Sequence, residues 1–148
     1  MKRRILCYGD SNTWGFNAMN EKVYGQRFPE DVRWTGRLQT ILGDGWTIIE
    51  EGLCGRTTVF DDPLRDGLNG LKYLIPCLAS HKPLDYMIIM LGSNDCKARF
   101  CALPKNIADG LQRLIVTAKQ ADVWKNEPAV LIVAPPPIEE GSDIHPIG

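Results

Sequence analysis

Three short polar segments carry the residue types from which an acyl-transfer site is built. Gly9-Asp10-Ser11-Asn12 offers a hydroxyl, Leu53-Cys54-Gly55-Arg56-Thr57 a glycine turn, and Gly92-Ser93-Asn94-Asp95 a side-chain amide. A serine hydroxyl attacks an ester carbonyl, and the charge that develops on oxygen needs donors already aimed at it. Gly55 lets the backbone come close and point its N–H. Asn94 adds two side-chain N–H donors. Each segment alone reads as a turn, because Gly, Asp, Asn and Ser are turn formers. Their chemistry depends on whether the fold gathers them.

The elements that must position them are legible as four apolar runs. These are Arg4 to Tyr8, Trp46 to Ile49, Tyr86 to Leu91 and Ala129 to Ala134, the last closed by Pro135-Pro136-Pro137. Each is continuous rather than alternating, as in strands buried on both faces of a parallel sheet. Between them run helical stripes. Trp34, Leu38, Ile41 and Leu42 form one, with Asp31 as its expected cap. Leu71, Leu74, Ile75 and Leu78 form a second. Ile107, Leu111, Leu114, Ile115 and Ala118 form a third, entered through Pro104. The order βαβαβαβ predicts an α/β fold with a doubly wound parallel sheet, in one domain over residues 1–148. Ser11 to Glu30 has no period and reads as a long functional loop. In such a sheet ligands bind at the carboxyl ends of the strands. Ser11, Gly55 and Asn94 all follow a strand, so they share that edge. Two turn-forming segments at adjacent strand ends, with a glycine turn between them in sequence, favour function over mere turns.

These blocks resemble the SGNH hydrolases, also called GDSL-type esterases and lipases. Gly9-Asp10-Ser11 matches the family's first block, Gly55 the glycine of the second, and Gly92-Ser93-Asn94-Asp95 the third, Gly-x-Asn-Asp. Gly9-Asp10-Ser11-Asn12-Thr13-Trp14-Gly15, Asp31-Val32-Arg33-Trp34-Thr35-Gly36 and Leu68-Asn69-Gly70 are similar to the arylesterase/acyltransferase subgroup. The resemblance implies a flavodoxin-like three-layer fold and a serine esterase or acyltransferase acting on short-chain or aryl esters without a cofactor. It makes Ser11 the nucleophile, and the N–H groups of Ser11 and Gly55 with the amide of Asn94 the oxyanion hole. Asp10, Trp14 and Arg56 flank these residues as candidate substrate contacts. Trp14 and Phe16 suit an acyl pocket. Arg56 is expected to pair with Asp10, Asp61 or Asp62 in preference to meeting a substrate oxygen. Asp10 and Asp95 read as acceptors that fix their loops.

The family's fourth block, an Asp-x-x-His before a final helix, has no match. The chain is therefore read as a member truncated after its fourth strand, and the alternative function is an impaired or inactive subunit of the same fold. Two histidines are present. His81 precedes the third strand. Five strand residues at ~3.3 Å each put it roughly 16 Å from the site, too far for a base. His145, in Ser142-Asp143-Ile144-His145, follows the fourth strand and is the remaining candidate base, set in a tail flanked by Gly141 and Gly148. Without a base, ester hydrolysis is expected to be feeble.

Composition narrows the field further. Lys+Arg 17 against Asp+Glu 18 gives a net charge of −1, without the basic footprint of a nucleic-acid binder or polybasic anchor. No apolar run reaches the ~18–20 residues of a membrane span. The five cysteines form no Cys-x-x-Cys pair, so no metal is expected and the thiols read as reduced in a cytoplasmic protein. Neither Gly-x-Gly-x-x-Gly nor a Walker lysine is present, which disfavours nucleotide binding. The last strand, stripped of a covering neighbour, is an apolar edge that predicts a homo-oligomer.

Overall fold

The computed structural model describes residues 2–18 and 26–138. Four parallel strands form one sheet in the order β2-β1-β3-β4: β1 (Arg3–Gly9), β2 (Trp46–Gly52), β3 (Tyr86–Met90) and β4 (Val130–Ile132). Among the described residues four α-helices accompany them: α1 (Ser11–Trp14), α2 (Trp34–Leu42), α3 (Gly70–His81) and α4 (Pro104–Gln120). With β1 between β2 and β3, the sheet winds outward both ways from β1. The crevice at β1 is then the expected ligand position of such a sheet. The predicted α/β fold and doubly wound parallel sheet are present.

β1 shows why its run is apolar throughout. Leu6 and Tyr8 pack with Leu74 and Leu78 of α3 and Leu114 and Ala118 of α4, while Ile5 and Cys7 pack on the other face against Trp34, Leu38 and Leu42 of α2. Alternate residues thus serve two cores. β3 does the same with Ile89 and Ile88. β4 differs: Leu131 is 59% exposed, and Ile132 and Val133 are exposed beside it.

Several expectations need correction. β2 runs on through Glu50 and Glu51 to Gly52, paired residue for residue with β1 up to Gly9. The charges hid its end, and each carboxylate is matched: Glu50 by Arg27 and Arg33, Glu51 by His81. Asp31 does not cap α2, whose N-cap position is Arg33 with no side-chain cap. Ile41 is 80% exposed. It lies about 100° round the helix from Leu42 and leaves the Trp34-Leu38-Leu42 stripe. On α3, Cys77 takes the core place expected of Ile75, which is exposed. Asn69 caps this helix, accepting from the Leu71 and Lys72 amides at 3.0 and 3.2 Å. The loop expected after Asp10 instead begins with the turn of α1.

The difference between cluster and surface positions is measurable. Leu114→Ala, at a fully buried site between helix and sheet, lowers unfolding free energy by about 2–5 kcal/mol. Ile41→Ala changes it by about 0.5 kcal/mol or less. Urea denaturation checks both, and equal losses would contradict the assignment of the two faces.

Candidate active site

Ser11 is the first residue of α1, directly beyond the end of β1. Asp10 caps this turn, its carboxylate accepting from the Asn12 backbone at 2.9 Å and the Asn12 side chain at 3.1 Å. The turn closes through Trp14 N–H to Asp10 O and Gly15 N–H to Ser11 O, both 2.9 Å. Two paired glycines let it sit on the strand ends. A Cβ at Gly9 would meet Thr13 Oγ1 at 2.0 Å, and one at Gly52 would meet the Trp14 nitrogen at 2.2 Å. Among the described residues, the Ser11 hydroxyl has no hydrogen-bond partner.

Gly55 has φ +90°, which only glycine adopts without strain. Leu68 closes over it, 3.0 Å from where a Cβ would stand. The next residue, Arg56, is 2% exposed. Its guanidinium donates to the carbonyls of Gly9 (3.0 Å) and Glu51. It also lies over the rings of Tyr8 at 4.2 Å and Tyr73 at 5.3 Å. No carboxylate among the described residues is its ion-pair partner, so the expected pairing with Asp10, Asp61 or Asp62 is not what forms. Asp62 is taken by Arg99 at 2.9 Å and Asp61 by Lys72 at 2.8 Å. Nor does so buried a guanidinium suit a substrate contact. Backbone carbonyls and aromatic faces stabilise this cation where the sequence suggested an acid.

Asn94 completes the arrangement from β3. Its Nδ2 donates to the Arg56 carbonyl at 3.1 Å and faces Asp10 Oδ2 at 3.5 Å. The amide therefore lies between the residue before Ser11 and the residue after Gly55. Asp95, fully buried, accepts from the Thr58 N–H at 2.9 Å and from the Thr58 hydroxyl. It holds the second loop against the third, as expected of a loop-fixing acceptor. Burial pushes the Asp10 carboxyl above its ordinary value, opposed by the Asn12 donors, with the Asp95 charge adding to the rise. Burial likewise raises Asp95, opposed by Thr58.

The remaining candidates fall around this centre. Trp14 is half-buried under the Arg27 guanidinium, 5.1 Å above its ring, and Phe16 bridges back to Arg27. Arg27 continues to Glu50, which also holds Arg33 at 3.2 Å and Thr35. These contacts strap the segment after Ser11 to β2 and were not foreseen. His81 ends α3, but its ring reaches Glu51, one residue short of the end of β2. Its Nε2 stands 2.7 Å from Glu51 Oε1. The ring thus lies nearer the carboxyl edge than its place in the chain implies, and is committed to Glu51. His145 lies outside the described residues.

Sheet order, strand-end serine and third-block asparagine together define an SGNH-type α/β fold. Residues 7–146 match the GDSL-like lipase/acylhydrolase family, and the chain belongs to it. It is similar to the native aryl esterase of M. smegmatis, at 46% identity over 98% of this chain and 68% of that one, with TM-score 0.89. It is also similar to Est24, a carbohydrate acetylesterase from Sinorhizobium meliloti, at 48% identity over 92% of this chain, with TM-score 0.86. A putative arylesterase from Agrobacterium tumefaciens str. C58 shares 36% identity over 91% of this chain and 64% of that one, with TM-score 0.82. The chain spans 65% of the length of Est24. The comparison with curated proteins gave no match. No helix among the described residues is long and apolar enough to cross a membrane.

Two outcomes follow from the buried charges. Arg56→Lys keeps the charge but loses the planar fork, leaving carbonyls of Gly9 and Glu51 short of a donor. It should lower stability by about 1–3 kcal/mol, and a loss within error would remove Arg56 from its central place. For Asp95, the folded carboxyl is raised above 3.8. Between 3.8 and the raised value the unfolded chain loses the proton first, so the parent's stability falls with rising pH. Relative to Asp95→Asn, the parent is thus most stable below this window and loses ground through it. Denaturation at stepped pH checks the sign; a parent that gains on the variant as pH rises would contradict it.

Proposed function

We propose that this site performs acyl transfer from short-chain or aryl carboxylic esters, through an acyl-enzyme on Ser11. The carrying observation is the Asn94 amide, placed between Asp10 beside Ser11 and Arg56 beside Gly55. Ser11 Oγ attacks the ester carbonyl. The N–H groups of Ser11 and Gly55 and the Nδ2 of Asn94 take the developing oxyanion. At Asn94 the N–H facing Asp10 at 3.5 Å is the one released to substrate, while the 3.1 Å bond to Arg56 keeps the amide aimed. The alcohol then leaves, and water or a second alcohol resolves the acyl-enzyme. The likeness to an aryl esterase and a carbohydrate acetylesterase supports this reaction class. Trp14 borders the acyl side.

The serine needs a base. His81 is held by Glu51 and does not supply it, which leaves His145 as this chain's other histidine. A second reading, an impaired or inactive subunit of the same fold, is favoured by one observation: the described histidine, His81, is held by Glu51 at 2.7 Å. The further reading is of one cytoplasmic domain over residues 1–148 that self-associates. Five free cysteines and the exposed Leu131-Ile132-Val133 edge support it.

Hydrolysis of p-nitrophenyl acetate separates the readings. In the first, Ser11→Ala and removal of the base each cost on the order of 10⁶ in kcat. Asn94→Ala costs about 10²–10³ in kcat with KM nearly unchanged. In the second, turnover is feeble and indifferent to Ser11→Ala. The first pattern is expected where His145 acts as the base, so that His145→Ala abolishes turnover together with Ser11→Ala; indifference to both Ser11→Ala and Asn94→Ala would overturn it.

A further inference from the structure

Outside the Ser11 site, one cluster among the described residues joins three metal-ligating side chains from two elements. Glu51 comes from β2, and Cys77 and His81 from successive turns of α3. One ligand atom from each lies within 4.8 Å of the other two. We propose that Glu51, Cys77 and His81 form a binding site for a borderline-soft divalent cation, zinc by its donor set.

The argument rests on placement. Residues four apart on a helix share a face, and the same spacing presents two metal-binding histidines in helical zinc motifs. Cys77 and His81 have this spacing, and Glu51 faces them from the strand. Cys77 is fully buried, whereas the His81 and Glu51 side chains are 27% and 19% exposed. The cluster therefore has one ligand rooted in the core and two opening on solvent. That leaves an entry route and a fourth position for water. Thiolate, imidazole and carboxylate together select zinc or cobalt over magnesium or calcium. Tetrahedral bonds of zinc length separate ligand atoms by roughly 3.3–3.6 Å. His81 Nε2 and Glu51 Oε1, now 2.7 Å apart, need only part slightly, within the reach of two long side chains.

The surroundings are compatible. The Tyr73 hydroxyl stands 3.4 Å from Glu51 Oε2, bracing the oxygen that does not face His81. Arg56 is the nearby cation, but its guanidinium points at the Gly9 and Glu51 carbonyls rather than at the Glu51 carboxylate. Binding exchanges the Cys77 thiol proton, released to solvent, for a metal–sulfur bond. None of the three side chains takes part in the proposed acyl transfer. The cluster is silent in sequence because Glu51 and Cys77 belong to different elements and no Cys-x-x-Cys announces it.

The test uses the full chain, stripped with a chelator and titrated with cobalt(II). The expected result is a thiolate-to-cobalt charge-transfer band that saturates at one equivalent and is displaced by zinc. Cys77→Ser should abolish the band. His81→Gln, at the partly exposed end of α3, should weaken cobalt binding at least tenfold while circular dichroism stays unchanged. Replacing the exposed Cys96 and Cys101 by Ser should leave the band intact. Absence of a band overturns the proposal. So does a band that survives Cys77→Ser or disappears with Cys96 and Cys101. Should Cys77→Ser fail to fold, undiminished binding by folded His81→Gln overturns it equally.

Discussion

One buried cation organises the carboxyl edge of this sheet. The Arg56 guanidinium holds carbonyls of β1 and β2, at Gly9 and Glu51, and lies against Tyr8 of β1 and Tyr73 of α3. Its own carbonyl takes the amide of Asn94 from beyond β3. Three strand ends are therefore referred to one residue. A charge this deep is tolerable because two backbone dipoles and two ring faces stand against it, even though its Nε finds no hydrogen-bond partner among the described residues. The sheet and α3 supply these before any substrate arrives, which is the condition for a preorganised site.

Around this centre, close approach is secured by what is missing as much as by what is present. Gly9 and Gly52 stand opposite each other at the ends of β1 and β2, and neither has room for a methyl group beneath α1. The turn bearing Ser11 thus rests on backbone. Asp10 and Asp95 then fix the flanking loops through N–H donors of Asn12 and Thr58. Both carboxyls are raised by burial, so rigidity here is obtained at some expense in stability near neutral pH. Such local cost is common where geometry matters more than stability.

The fold was legible where residues answer to two cores at once. The runs of β1 and β3 are apolar on both faces because helices cover both, and their ends located Ser11 and Asn94. Gly55 was legible for a different reason, since a glycine just past a strand signals a backbone position closed to side chains. Other features were hidden. Glu50 and Glu51 interrupted the pattern of β2 because their partners Arg27, Arg33 and His81 come from elsewhere in the chain. Arg56 looked like an ion-pair residue, and no sequence pattern distinguishes a guanidinium bound to carbonyls from one bound to carboxylates. Ile41 and Ile75 looked like core because periodicity gives a stripe but not its edges.

The central claim is that Ser11, Gly55 and Asn94 serve one oxygen position. A crystal structure of the chain treated with a small aryl phosphonate tests it most directly. The account predicts phosphorus bonded to Ser11 Oγ, with one phosphoryl oxygen about 2.7–3.1 Å from both the Gly55 nitrogen and Asn94 Nδ2. An adduct on another residue, or a phosphoryl oxygen turned away from Asn94 while its amide stays on Asp10 and Arg56, would contradict it.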